Sequence, residues 1–511
     1  MLFPKVGLFQ ESRRSTFPHL IQRYSVAWGE AFPPLGWLKG WQGGYLEFPA
    51  VAERFLILGW SLQLSPRDEH QLRAWLAALH THMVAYGERD AAPLRLFGIF
   101  SFPSPFLSVT SPAFPRFGLP LLVWSEVQGK RWVTLYRPLG EGEMPLSAEA
   151  LRGCLEYIRE WGMDGVTEKD FYAWMEWEAI NWELSWRQLD AVHHASEVEG
   201  KKGGAHGSEE FNVVERWEPS PSLFPRLYAQ HESGHLSAFL HPSSAAWEAQ
   251  IGLLKGAMQR GEVQKVVLAR TLQMTLQGMW QVEPMLEALR QRYPYANAFF
   301  FRFTDEMAFL GATPERLVRV EEDRLETMAL AGSLPRGKDA QEDALLTQKL
   351  LQDARLFKEH QVVVDHICRQ LTPMMQTMQV SERRPLLLPN VQHLQVHIQG
   401  KLANRYDVLD AVRALHPTAA LGGEPRQAAL EWIARLEPFE RGWYGAPFGW
   451  VDARGNGDFY VALRCGLIRG DQALLYAGAG ILPESDAQAE WEETALKFHP
   501  MLQALEESLK P

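Results

Sequence analysis

The chain has 511 residues, with 51 Lys and Arg against 62 Asp and Glu, a formal net charge of −11. Hydrophobic residues at 46% and charged residues at 22% are the proportions of a globular protein with ample core, which excludes a disordered or collagenous chain. An acidic balance without a basic block argues against nucleic acid or an anionic membrane as the main partner, and no apolar run approaches the roughly eighteen residues of a membrane span.

The opening Met1-Leu-Phe-Pro-Lys-Val-Gly lacks the charged and apolar regions of a signal peptide. Cys154, Cys368 and Cys465 are odd in number and far apart, so the expectation is a reducing cytoplasm, and the apolar stretches around Cys368 and Cys465 point to buried structural thiols. In the first half, apolar runs broken by Pro and Gly predict antiparallel strands at Phe55–Gly59, Leu94–Phe100, Leu119–Trp124 and Trp132–Tyr136. Helical periods fall near 68–86 and 147–161. Thirteen of the 19 tryptophans lie in the first 217 residues, so the two halves differ in composition. The polar stretch His193–Glu210 reads as a linker or surface loop, and a boundary just after it divides residues 1–215 from 216–511. The alternative is a long loop inside one domain, because an early strand can pair with a late one. Beyond it, strands are expected at Val266–Ala269, Ala298–Phe303, Phe309–Ala312 and Asp458–Arg464. Between them, residues 339–372 carry a helical stripe, broken only by turns, of Leu345, Leu346, Ala354, Phe357, Val363, Ile367 and Leu371.

The last helix is the most informative local feature. Ser485 can cap it with Gln488 as return partner, and Glu490, Glu493 and Lys497 then project from one face. That is an ordinary solvated face with one ion pair, except that Tyr476-Ala-Gly-Ala-Gly480 precedes it and lets backbone approach a ligand closely. A further acid, Glu359, sits in Lys358-Glu-His360; carboxylates from two helices plus waters suit Mg²⁺, a hard ion that keeps part of its hydration shell. His393 and His397 raise a zinc alternative, but no Glu lies between them and their surroundings alternate like a strand. Lys265, at the mouth of Lys265–Arg270, is either an edge gatekeeper or a desolvated base. Glu315, in the turn Gly311-Ala-Thr-Pro-Glu-Arg-Leu317, is alternatively a helix N-terminal carboxylate favoured by the macrodipole. The glycine spacings fit no dinucleotide fingerprint or P-loop.

Taken in order, Lys265-Val-Val-Leu-Ala-Arg, Gly311-Ala-Thr-Pro-Glu-Arg-Leu, Met328-Ala-Leu-Ala-Gly-Ser and Lys358-Glu-His resemble successive signatures of the chorismate-utilising enzymes. Leu415-His-Pro-Thr-Ala-Ala-Leu-Gly-Gly, Glu440-Arg-Gly-Trp-Tyr, Val461-Ala-Leu-Arg, Ala477-Gly-Ala-Gly-Ile and Glu490-Trp-Glu-Glu-Thr continue the series over 244–502, about half the chain. Lys265, Ala329-Leu-Ala-Gly-Ser and Pro417-Thr-Ala-Ala-Leu-Gly-Gly are most similar to the isochorismate synthases. The first half, with Phe97-Gly-Ile-Phe-Ser-Phe and Gly118-Leu-Pro-Leu, looks like the diverged region of menaquinone-type members, a looser likeness. Two positions depart from the family pattern: Arg355 and Leu356 stand where a Lys and an Asp are usual. The Tyr444-Gly-Ala-Pro order also differs from the commoner Tyr-Ala-Gly.

The resemblance implies an α+β fold of antiparallel sheets packed face to face with helices outside. It also implies an isomerase that converts chorismate to isochorismate, adding water at C2 and losing the C4 hydroxyl, with Mg²⁺ as cofactor and menaquinone biosynthesis as setting. Lys265 would be the base and Glu315 the acid. Glu359 and Glu493 would hold the metal, with Glu490 acting through water. Gly332, Ser333, His393, Leu421, Arg464, Gly478 and Lys497 would bind substrate. A monomer without a glutaminase subunit is expected. The rivals are a salicylate synthase, an anthranilate or aminodeoxychorismate synthase fed with ammonia, and a catalytically silent chorismate-binding protein.

Overall fold

The structure is a computed structural model. It describes residues 213–510 apart from 305–306 and 388–390, and in the first half 20–27, 33–38, 43–64, Leu72, 83–87, 95–100, 102–103 and 116–139. The helical period at 147–161, the polar stretch 193–210, Cys154 and most of 68–82 lie outside the described residues.

Two antiparallel sheets organise the described chain. In the first, Gly43–Phe48 lies between Glu53–Leu64 and Asn297–Thr304, and the ladder continues through Met307–Thr313, Cys465–Arg469, Gln472–Ile481, Lys265–Leu276 and Leu236–His241. In the second, Arg95–Ile99 pairs with Pro447–Asp452, followed by Gly457–Val461, Arg316–Glu321, Arg324–Pro335 and Val391–Leu402. The strand Arg116–Val127 belongs to both, pairing with Glu53–Leu64 along most of its length and with Arg95–Ile99 at its start. Strands from the two halves of the sequence are therefore neighbours in both sheets. One parallel pair, Leu20–Ala27 with Met83–Gly87, interrupts the antiparallel rule among the described residues.

The strands of the first sheet read as near-continuous apolar runs because both of its faces are covered. Leu46, Phe55, Ile57, Phe299, Phe301 and Phe309 enter the core between the sheets, with Phe97, Val318, Ala329, Phe448 and Phe459 from the second sheet. Their neighbours Tyr45, Leu56, Leu58, Ala298, Phe300 and Leu310 point the other way and pack against helices Val282–Arg292 and Ala487–Ser508 through Leu286, Leu289, Phe498, Met501 and Leu505. A buried ion-pair chain also ties the halves together: Arg319 donates to Asp458 at 2.9 Å and to Glu53 at 3.1 Å. This is the α+β architecture expected, antiparallel sheets face to face with helices outside. Among the described residues, no helix is long and apolar enough to cross a membrane.

Three local expectations are corrected or sharpened. The end of the 68–86 helical period is the strand Met83–Gly87, whose backbone finds its partners in Leu20–Ala27. The 339–372 stripe is two helices, Ala340–Gln352 and Ala354–Leu371, because Asp353 caps the second by accepting the N–H groups of Arg355 and Leu356. Within it Val363, Ile367 and Leu371 are buried, whereas Leu345 and Phe357 are exposed, Phe357 lying under the Arg383 guanidinium at 3.6 Å. The strand predicted over Asp458–Arg464 ends at Val461, and Arg464 takes a left-handed backbone conformation with φ 50°.

Candidate active site

The first sheet, the second sheet and the helices Ala354–Leu371 and Ala487–Ser508 meet at one cleft. Every residue to which the resemblance gives a site role lines it except Glu490, which is buried. Lys265 enters from the first residue of its strand, and Gly478 from the facing strand Gln472–Ile481. Gly332 and Ser333 sit near the end of Arg324–Pro335, where the register sets Ser333 opposite His393. Glu359 comes from one helix, Glu493 and Lys497 from the other, and Leu421 and Arg464 from loops.

Lys265 is no edge gatekeeper: its strand end pairs with Gly423–Glu424 and its side chain is 1% exposed. Its Nζ lies 3.3 Å from Glu359 Oε1. Room for this pair exists because position 480 is glycine; a Cβ there would lie 2.8 Å from Lys265 Cε and 3.0 Å from Glu359 Oε1. Gly480→Ala must therefore push the amine aside. Turnover is expected to fall about tenfold or more, since sub-ångström misplacement of a reacting group is costly, while the thermal midpoint moves little. Wild-type turnover in that variant would mean that the amine position does not matter.

Glu315 does not begin a helix. Pro314 and Glu315 form the link between strands Met307–Thr313 and Arg316–Glu321, so the macrodipole alternative falls. Burial pushes its carboxyl up from 4.5 to about 7, against the opposing charges of Arg464, Lys265 and Lys497. Arg464 is brought close by Gly311, where an added Cβ would meet Arg464 O at 2.7 Å.

His393 is held neutral, well below its ordinary titration range, by burial and by the charges of Arg464 and Lys497. Its Nδ1 lies 2.8 Å from Ser333 Oγ, and among the described residues its buried Nε2 has no hydrogen-bond partner. His397 is exposed on the same strand, so the two histidines are not gathered on one metal.

The acidic helix starts one residue later than expected. Asp486 is the cap, accepting Ala489 N–H at 2.9 Å, while Ser485 Oγ accepts Leu482 N–H at 3.0 Å and Gln488 bonds Glu492. Lys497 Nζ donates to Glu493 Oε1 and to Gly478 O, both at 2.7 Å. Glu490 is pushed up to about 7 by burial, then by the negative charges of Glu493 and Glu359. Arg355, one of the two family departures, lies 3.6 Å from Glu490 and keeps the usual positive charge at that place. Leu356, the other, packs with Leu350 and Leu394, and its backbone lies against Gly332.

Three residues on the cleft wall were quoted within motifs but given no role: Arg441, Tyr444 and Tyr476. The two tyrosine rings stack with centroids 5.2 Å apart. Nothing but the Glu440-Arg-Gly-Trp-Tyr run signals the first two in the sequence.

Residues 214–506, more than half of the chain, match the family described as chorismate binding enzymes, and the chain belongs to that family. It is similar to the salicylate biosynthesis isochorismate synthase of Pseudomonas aeruginosa, with 44% identity over 262 residues covering 51% of this chain and 54% of that protein. It is also similar to the isochorismate synthase MenF of Bacillus subtilis, with 36% identity over 281 residues covering 54% of this chain and 59% of that protein. The match thus spans little more than half the length of either relative. In structure, the chain resembles MenF, the menaquinone-specific isochorismate synthase from Escherichia coli, with a TM-score of 0.68, 26% identity and 96% of both chains covered.

Proposed function

We propose that this protein is an isochorismate synthase. The observation that carries the reading is the shared cleft: a buried amine, Lys265, and a buried carboxyl raised to about 7, Glu315, line one pocket with the cations Arg464 and Lys497. Chorismate carries two carboxylates, and Arg464 and Lys497 are the groups suited to hold them, the guanidinium through paired hydrogen bonds. Lys265, as the base, takes a proton from water as the water oxygen bonds to C2. The ring double bonds shift, the C4–oxygen bond breaks, and protonated Glu315 gives its proton to the departing hydroxyl, so one water enters and one leaves. Ser333 holds the neutral His393 beside the ring.

The donor chemistry fits a divalent cation. Among the described residues, no three His, Cys, Asp or Glu side chains are gathered tightly enough to enclose an ion. Burial, reinforced by the negative charges of Glu493 and Glu359, nonetheless raises Glu490, and carboxylates completed by waters are what Mg²⁺ takes. Glu359 and Glu493 would hold it, Glu490 through water, and bound Mg²⁺ would neutralise and orient a substrate carboxylate. Glu493→Gln is expected to weaken Mg²⁺ binding about tenfold or more, measured by calorimetry as well as by the Mg²⁺ dependence of turnover. An unchanged titration would remove Glu493 from the metal.

Menaquinone biosynthesis is the setting we infer, supported by the likeness to E. coli MenF over nearly the whole chain. The test is an incubation with chorismate and Mg²⁺, read by chromatography with and without ammonium. Isochorismate in equilibrium with chorismate, indifferent to ammonium, is expected. Salicylate with pyruvate, or an aminated product, would move the protein to another branch. Binding without turnover would leave a silent chorismate-binding protein.

A further inference from the structure

The strand that carries Lys265 has a continuous neighbour on one side only. Gln472–Ile481 pairs with it from Val266 to Thr275. On the other side the two-residue strand Gly423–Glu424 covers Lys265 and Val266, and Leu236–His241 covers Thr271–Leu276. Val267 N–H reaches Gly422 O at 2.8 Å, and there the chain-to-chain pairing stops. Among the described residues, no strand fills the gap between these two patches, which begins two residues from the Lys265 amine.

Two side chains fill it instead. Glu437 Oε1 accepts Ala269 N–H at 2.8 Å, and Arg441 Nη2 donates to Val267 O at 2.6 Å. The two groups also pair with each other, Arg441 Nε to Glu437 Oε2 at 2.8 Å, and both residues are buried. Arg441 Nη1 then crosses to the neighbouring loop and donates to Leu421 O at 2.8 Å, beside the side chain that lines the cleft. The ring of Phe102, from the first half of the chain, covers the guanidinium at 4.4 Å.

A buried ion pair contributes little net stability unless its remaining lone pairs and protons are also satisfied. Here they are spent on the backbone of the site. Although Arg441 touches the cleft wall, its hydrogen bonds go to Glu437, Val267 and Leu421, so it is built to hold protein rather than substrate. We propose that Glu437 and Arg441 are positioning residues, a side-chain bridge in place of a missing strand, which sets the Lys265 strand at a fixed distance from the Leu421 loop. The inference rests on the isochorismate synthase reading, with Lys265 acting on one side of the substrate ring and Leu421 walling it.

The test uses Arg441→Lys and Glu437→Gln in the full chain. Lysine keeps the charge but cannot span Glu437, Val267 and Leu421 at once. Glutamine keeps an oxygen for Ala269 N–H and the side-chain shape, so it carries the test if the lysine variant does not fold. We expect kcat for chorismate to fall about a hundredfold in Arg441→Lys and about tenfold in Glu437→Gln. KM should stay within about threefold and the thermal midpoint within a few degrees. Unchanged kcat in both variants would overturn the proposal. So would a KM that rises in step with the loss of kcat/KM, since that makes Arg441 a substrate ligand. Wild-type protein run alongside separates the two claims: if it does not convert chorismate, the functional reading has failed rather than the bridge.

Discussion

Lys265→Ala is expected to lower turnover by on the order of a thousandfold or more, while chorismate still binds with an affinity within a few-fold of wild type. The size of the effect follows from what the side chain does and does not touch. Its amine is 1% exposed and contacts Glu359, not the cations Arg464 and Lys497 that we assign to the substrate carboxylates. Truncation therefore removes the proton acceptor and leaves the anion-binding side of the cleft in place. It also removes the amine that lies 3.3 Å from Glu359, so Mg²⁺ binding should hold or tighten. Calorimetry with chorismate and with Mg²⁺, beside a turnover assay, separates these effects. Wild-type turnover would end the base assignment, and loss of chorismate binding would recast Lys265 as a substrate ligand.

Glu315→Gln is the second large effect. In the proposed reaction the carboxyl must be protonated to give a proton to the departing C4 hydroxyl, and burial raises it to about 7. In wild type, kcat should fall as pH rises through about 7, because the acid loses its proton there. The variant has no proton to give. It should lose at least about a hundredfold in kcat, and the fall on that limb should vanish with it. The stability sign runs the other way. A carboxyl raised from 4.5 to about 7 binds its proton more tightly folded than unfolded, so wild type loses stability as pH rises across that window and has the lower value above it. Glutamine is spared that loss. Above pH 7 the variant should melt no lower than wild type, which distinguishes a missing acid from a damaged fold. A variant that keeps the falling limb in kcat would place the acid elsewhere.

The cleft was legible in the sequence because its parts constrain backbone as well as chemistry. Gly478 and Gly480 announce a close approach, and the approach is that of Tyr444 Oη, Lys265 and Glu359. Glu493 and Lys497 are fixed by helical spacing, whereas Glu359 comes from another helix and Ser333 meets His393 across paired strands, groupings that only the family resemblance suggested. What stayed hidden is non-local. Gly43–Phe48 gives no sign that its partner is Asn297–Thr304, and Arg95–Ile99 none that it will meet Pro447–Asp452. Glu437 looks like any acid after a helix, since its partner, Ala269 N–H, is 168 residues away. The cap of the last helix was missed by one place because Ser485 and Asp486 are both good caps. Ser485 is committed elsewhere, to Leu482 N–H and to Glu490, which leaves the cap to Asp486.

In the proposed reaction water adds at C2 and the original C4 oxygen departs. Incubation of the protein with chorismate and Mg²⁺ in ¹⁸O-enriched water tests it directly, with the isochorismate read by mass spectrometry. Isochorismate formed in the first turnovers is expected to carry one heavy oxygen, at C2, and Lys265→Ala to form it at least about a thousandfold more slowly. Unlabelled isochorismate would mean that the hydroxyl migrates within the substrate, and would contradict that reaction.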